Sequence, residues 1–200
     1  MEITSLFGEK FYQQISFILE IDKLKTVLRK TMLLYENRFE NSAEHSWQIA
    51  LAAIILAEYA NEKIDIAHVT KILLVHDLVE VYCGDTFHYH KEDDTTLSER
   101  EIKAAQKIFG LLPAEQAQDF FSLWIEFESQ QTPEAQFANS IDRFMPILLH
   151  SFSETKIWNK FSITQKQIID KNNHIEKGST LLWDFTQSLI QKAVEKGDLS

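Results

Sequence analysis

The sequence predicts an all-α fold, and three features point there. Glycine and proline are scarce, five and three in 200 residues, so tight turns are few. Apolar residues recur at helical spacing in one segment after another. No stretch alternates convincingly as a strand.

The elements follow in order. Phe7–Leu19 is weakly amphipathic, and Ile21–Leu34 sets Ile21, Leu24, Val27, Leu28 and Met32 on a helical period. The polar run "YENRFENSAE" interrupts. Asn41, with Glu44 three residues later, resembles a capping box and predicts a helix start near Ser42. Trp47–Tyr59 is apolar almost all round and predicts a central buried helix. Ile66–Tyr82 is next, ended by "CGDT", where Gly84 is a natural breaker. Phe87–Ser98 is polar and reads as a loop over one face. A helix over Ser98–Phe109 opens at a serine cap, and "GLLP" breaks it. Pro113–Ser129 and Pro133–Phe152 each carry proline near the start, where its missing N–H costs nothing. Ile163–Asn172 and Thr180–Lys196 close the chain. Length and the lack of repeats or linkers predict one domain over residues 1–200.

Charge and composition narrow the function. A net charge of −10 disfavours nucleic acid and anionic membrane surfaces as partners. It leaves room for a small anionic substrate, because a metal or paired arginines reverse the sign locally. The longest apolar run, Ile49–Ala57, is far too short to span a membrane. No signal peptide is read at the N-terminus, and the single Cys83 suits a reducing cytoplasm.

Chemistry concentrates in a few polar residues on apolar helices. His76 and Asp77 lie inside "KILLVHDLVEVYCGD", with Glu80 one turn on. A buried His–Asp pair is either a hydrogen-bonded structural pair or a site for metal and protons. His45, alone, reads as a satisfied polar residue at a helix start. Asp142, alone, reads as a partner of Arg143 or a solvated acid. Together His45, His76, Asp77 and Asp142 fit one metal site better than four separate exceptions. Two imidazoles and two carboxylates suit one divalent ion (Mn, Co, Fe, Zn or Mg), with open positions for water and substrate.

The order H…HD…D resembles the HD superfamily of metal-dependent phosphohydrolases. The text around it, "RFENSAEHS" over Arg38–Ser46, "HDLVEVYCGDT" over His76–Thr86 and "TPEAQFANSIDRFMPILL" over Thr132–Leu149, is similar to the 5′-deoxynucleotidase group. The resemblance covers about residues 21–152, with 153–200 expected as helices packing on it. It implies a helical bundle around a single divalent-metal site, commonly a homodimer, releasing phosphate from deoxyribonucleoside 5′-monophosphates. It assigns His45, His76, Asp77 and Asp142 to the metal. Glu80 becomes the acid that orients or deprotonates the attacking water. Asp85 either protonates the leaving 5′ oxygen or caps a turn. Arg29 and Arg38 are candidate phosphate holders, Arg29 having a solvated helix face as its alternative. In the best-studied branch a Trp follows the matching Arg and is thought to reject ribose. Lys30 stands there instead, so deoxy selectivity is an open expectation. The alternatives are another phosphoester substrate or a non-catalytic nucleotide-binding domain. His88 and His90 are read as loop residues near the pocket mouth, and His68, His150 and His174 as structural.

Overall fold

The computed structural model describes residues 7–85 and 94–199, with the backbone alone over 94–98. Of the loop expected over Phe87–Ser98, residues 87–93, with His88 and His90, lie outside the described residues, and 94–98 are helical. α1 spans Glu9–Ile21 and runs into a 3₁₀ turn, Asp22–Thr26. A two-stranded hairpin follows, β1 (Leu28–Met32) and β2 (Phe39–Asn41). The helices that come next are α2 (Ser42–Leu56), α3 (Ile66–Val75), α4 (Glu80–Cys83), α5 (Asp94–Phe109), α6 (Ala114–Ser129) and α7 (Pro133–Phe152). Short α8 (Ile157–Lys160), α9 (Gln165–Asn172), α10 (Ile175–Gly178) and α11 (Thr180–Glu195) complete it.

α7 is the axis of the bundle. Thr132 caps its start by accepting from the Ala135 amide, and Pro133 occupies the first turn. Its buried positions surround the helix, so it packs against α2, α3, α6, α10, α11 and β1. The described residues form two apolar clusters, of which the first is built on α7. The first joins Ile49, Ile72, Leu73, Phe137, Ile141, Trp158 and Trp183; the other joins Phe17, Val75, Leu78, Ile108, Phe109 and Trp124.

Four expectations need correction. The helix expected over Ile21–Leu34 is a 3₁₀ turn and a strand. Val27 turns extended (φ −82°, ψ 110°), and the residues after it find hydrogen-bond partners on β2 rather than an apolar wall. The all-apolar helix is buried on one face only: Ile49, Ala50 and Ala53 are inside, while Trp47, Leu51, Ile54 and Ile55 are exposed. The helix expected over Ile66–Tyr82 stops at Val75, becomes 3₁₀ over His76–Val79, and resumes at Glu80. Finally, α5 starts at Asp94, four residues before Ser98.

Candidate active site

Three elements deliver the metal-type residues to one point. Asn41 and Glu44 form a complete capping box, each side chain meeting the other's backbone N–H, which fixes the first turn of α2. His45, one residue on, is thereby turned inward and is 1% exposed. Its Nε2 lies 2.9 Å from Asp142 Oδ1 on α7. Pro146, four residues past Asp142, supplies no amide to the Asp142 carbonyl, so the helix lacks that one backbone hydrogen bond at the site.

The 3₁₀ step carries the other two. Its three residues per turn eclipse positions i and i+3, so Asp77 and Glu80 align on one face. His76 Nδ1 donates to the Leu73 carbonyl at 2.8 Å, which leaves Nε2 as the lone-pair nitrogen. That Nε2 is buried without a hydrogen-bond partner, 3.0 Å from Asp77 Oδ1 and 3.7 Å from Asp142 Oδ1. His45, His76 and Asp142 each offer one ligand atom, all within 4.8 Å of one another. An orphaned imidazole nitrogen beside a second imidazole and buried carboxylates fits a divalent cation. Asp77 stands against this triad through its contact with His76, while its Oδ2 accepts from Arg29 Nη1 at 2.9 Å.

Arg29 is not on a solvated helix. It lies on β1 with its side chain 13% exposed, its Nε donating to Glu40 Oε1 at 3.2 Å and its Nη1 3.9 Å from Asp85 Oδ1. Arg38 is brought elsewhere: half exposed, it holds both Glu44 oxygens at 2.6 and 2.9 Å. Lys30 is exposed and points over the Phe39 ring. Glu80 Oε2 accepts from Ser42 Oγ at 2.5 Å. His68 pairs with Glu126 at 2.8 Å, away from the cluster.

Electrostatics follow from this crowding. Burial, then the Asp77 and Asp85 charges, push the Glu80 carboxyl well above its usual range, against Arg29. Burial and Asp77 likewise raise Asp85. Burial works against charged His45 and His76, yet neighbouring carboxylates outweigh it and raise both: Asp142 and Glu40 for His45, Asp77 and then Asp142 for His76. Burial also opposes ionised Asp142, but Arg143 and the two histidines hold it well below the usual carboxylate range. Two residues of this site, Glu40 and Ser42, were missed from sequence. The signal was present for Glu40: the capping box accounts for Asn41 and Glu44 and leaves Glu40 without a role.

Comparisons with known proteins place the chain among similar ones. A crystal structure of a predicted metal-dependent phosphohydrolase from Magnetospirillum magnetotacticum superposes with a TM-score of 0.89 at 43% identity, over 96% of this chain and 98% of that one. The human 5′-deoxynucleotidase HDDC2 is 28% identical over 136 residues, 67% of this chain and 65% of its own length, so the match spans just under two thirds of that relative. The 5′-deoxynucleotidase hdd1 of Schizosaccharomyces pombe is 30% identical over 62% of this chain and 64% of its own. The sequence profile of the HD domain matches residues 21–183, most of the chain including every residue of the cluster: the protein belongs to the HD domain family.

Proposed function

We propose that this protein is a metal-dependent phosphomonoesterase that hydrolyses nucleoside 5′-monophosphates to nucleoside and phosphate. The observation that carries the reading is the buried His45–His76–Asp142 triad, with Glu80, Asp85 and Arg29 grouped around Asp77 beside it. The 5′-deoxynucleotidase names of the human and yeast relatives supply the substrate class.

In this reading His45, His76, Asp77 and Asp142 hold one divalent ion. Such an ion acidifies water and offsets phosphate charge. Arg29 binds the phosphate, its guanidinium held ready by buried carboxylates. Glu80 takes the proton of the attacking water. A carboxyl raised by burial accepts a proton near neutrality more readily than an ordinary one, and the Ser42 hydroxyl fixes its rotamer. The bond from phosphorus to the 5′ oxygen breaks, and Asp85, also raised, gives that oxygen its proton. Arg38 has no part, being engaged with Glu44. Since the Lys30 side chain leaves the site, no aromatic wall at that position opposes a ribose 2′-hydroxyl, and ribonucleotides are accepted beside deoxyribonucleotides.

The protein acts as a homodimer in a reducing compartment such as the cytoplasm, where Cys83 stays free. Among the described residues, no helix is long and apolar enough to cross a membrane. The test is phosphate release from deoxy- and ribonucleoside 5′-monophosphates by metal-stripped protein, with Mn, Co, Mg, Fe or Zn restored singly. Turnover should appear only with metal, and Glu80→Ala should lower kcat by about 10²-fold or more while retaining the ion. Absence of turnover on every nucleotide, with metal bound, rejects the reading.

A further inference from the structure

The polar gap before α2 holds one acid that the proposed reaction leaves idle. Glu40, on β2, is 1% exposed. A carboxylate taken out of water needs donors to match it. Its Oε1 accepts from Arg29 Nε at 3.2 Å and faces His45 Nδ1 at 3.5 Å, while its Oε2 has no hydrogen-bond partner. Glu40 thus lies behind two side chains whose far ends enter the site. The other nitrogen of His45 meets Asp142, and Arg29 Nη1 meets Asp77.

We propose that Glu40 is a positioning residue that sets His45 for the metal and Arg29 for the phosphate at once. Its charge keeps the proton on His45 Nδ1, so the Nε2 lone pair faces the cation. His76 reaches the same tautomer through a neutral group, the Leu73 carbonyl. A carboxylate does more than a carbonyl, because it also raises the basicity of the ring it holds. For Arg29, Glu40 is an anchor outside the metal ligands, because it meets His45 at Nδ1, the nitrogen turned away from Asp142. Asp77 is shared with the triad, so when cation and phosphate draw Asp77 away, the Nε contact keeps the guanidinium in place. The Arg29 half rests on the phosphatase reading above; the His45 half stands on the geometry alone.

Glu40→Gln keeps the size and removes the charge. Calorimetric titration of the metal-stripped variant with Mn²⁺, without substrate, should show affinity roughly 10- to 100-fold weaker than the parent. At saturating metal, KM for the nucleotide should rise more than kcat falls. Glu40→Asp, which restores the charge, should recover part of the metal affinity. Nitrogen-15 NMR of the unaltered protein loaded with diamagnetic Zn²⁺ should find the His45 proton on Nδ1, with Nε2 turned to the ion. Metal affinity and KM unchanged within about twofold in a folded Glu40→Gln variant overturn the proposal. So does a proton on His45 Nε2, a result that needs no variant to fold. Because the metal titration uses no substrate, an inactive parent enzyme rejects the phosphatase reading and leaves the His45 half to be judged by itself.

Discussion

His150 shows how a single residue can be legible in kind and opaque in consequence. It reads from sequence as a structural histidine two turns past Asp142, and its ring stands edge-on to Trp158 at 5.7 Å. Burial holds its pKa down to about 4. The unfolded chain titrates near 6.5, so between these values it binds a proton that the folded chain resists. The contribution is therefore complete above about pH 6.5 and is lost as pH falls toward 4, to an order of about 3 kcal/mol. Urea denaturation of metal-free protein across that range should show stability declining. In His150→Phe the whole curve shifts, but its slope between pH 6.5 and 4 should flatten. An equal slope in both proteins would show that folding leaves the proton affinity of His150 unchanged. Glu80 and Asp85 run the other way. In metal-free protein their raised values contribute stability at acid pH that is lost as pH rises.

At the scale of elements, the capping box and the helix-starting prolines were readable, while the cap expected at Ser98 and the strand pairing were not. The capping box at Asn41 and Glu44 and the starts of α6 and α7 depend on residues a few positions apart. The hairpin depends on two segments meeting. The paired Leu28 and Met32 are four positions apart on β1, against two positions for Asn41 and Phe39 on β2, so the ladder is irregular and no clean alternation marks it. The short helix α10 was also invisible, and one glycine explains how it sits. Gly178 lies against α7 so closely that a Cβ would stand 2.4 Å from both the Gln136 carbonyl and Ser140 Oγ. Ser140 Oγ donates to the Gln136 and Ile175 carbonyls, so the crowded atoms are already committed. Gly178→Ala should cost about 3 kcal/mol, read as a lower urea midpoint at constant m. An unchanged midpoint would mean that α10 can withdraw from α7 without loss.

For the whole molecule, the outward face of α2 is the feature that a lone chain leaves unexplained. Trp47 and Ile55 are each 65% exposed, with Leu51 and Ile54 between them. No charged residue occurs from Ser46 to Ala57, so two such faces can meet without the repulsion that a −10 chain otherwise imposes. A second copy related by a two-fold axis is the occupant that fits. Light scattering should report a dimer for the parent and a monomer for Trp47→Glu combined with Ile54→Glu. A monomeric parent at micromolar concentration would sink this reading. The apolar period of Trp47–Tyr59 was plain in sequence, but which side it turns to the core was not: periodicity says that a helix is apolar all round, and only packing distinguishes a neighbour within the chain from one outside it.

By itself the sequence determined the helical class, the capping box at Asn41 and Glu44, and the four ligand-type residues that resemble those of one family. All of these rest on contacts within a few residues or on motif spacing. The tertiary structure decided that His76 and Asp77 lie on a 3₁₀ step, which aligns Asp77 with Glu80. It decided that Arg29 is buried on a strand while Arg38 stays outside with Glu44, and that Glu40 backs both His45 and Arg29. Each of those outcomes requires groups from separate segments to satisfy one another's charge and hydrogen bonds out of water, and no local pattern encodes which partners will meet.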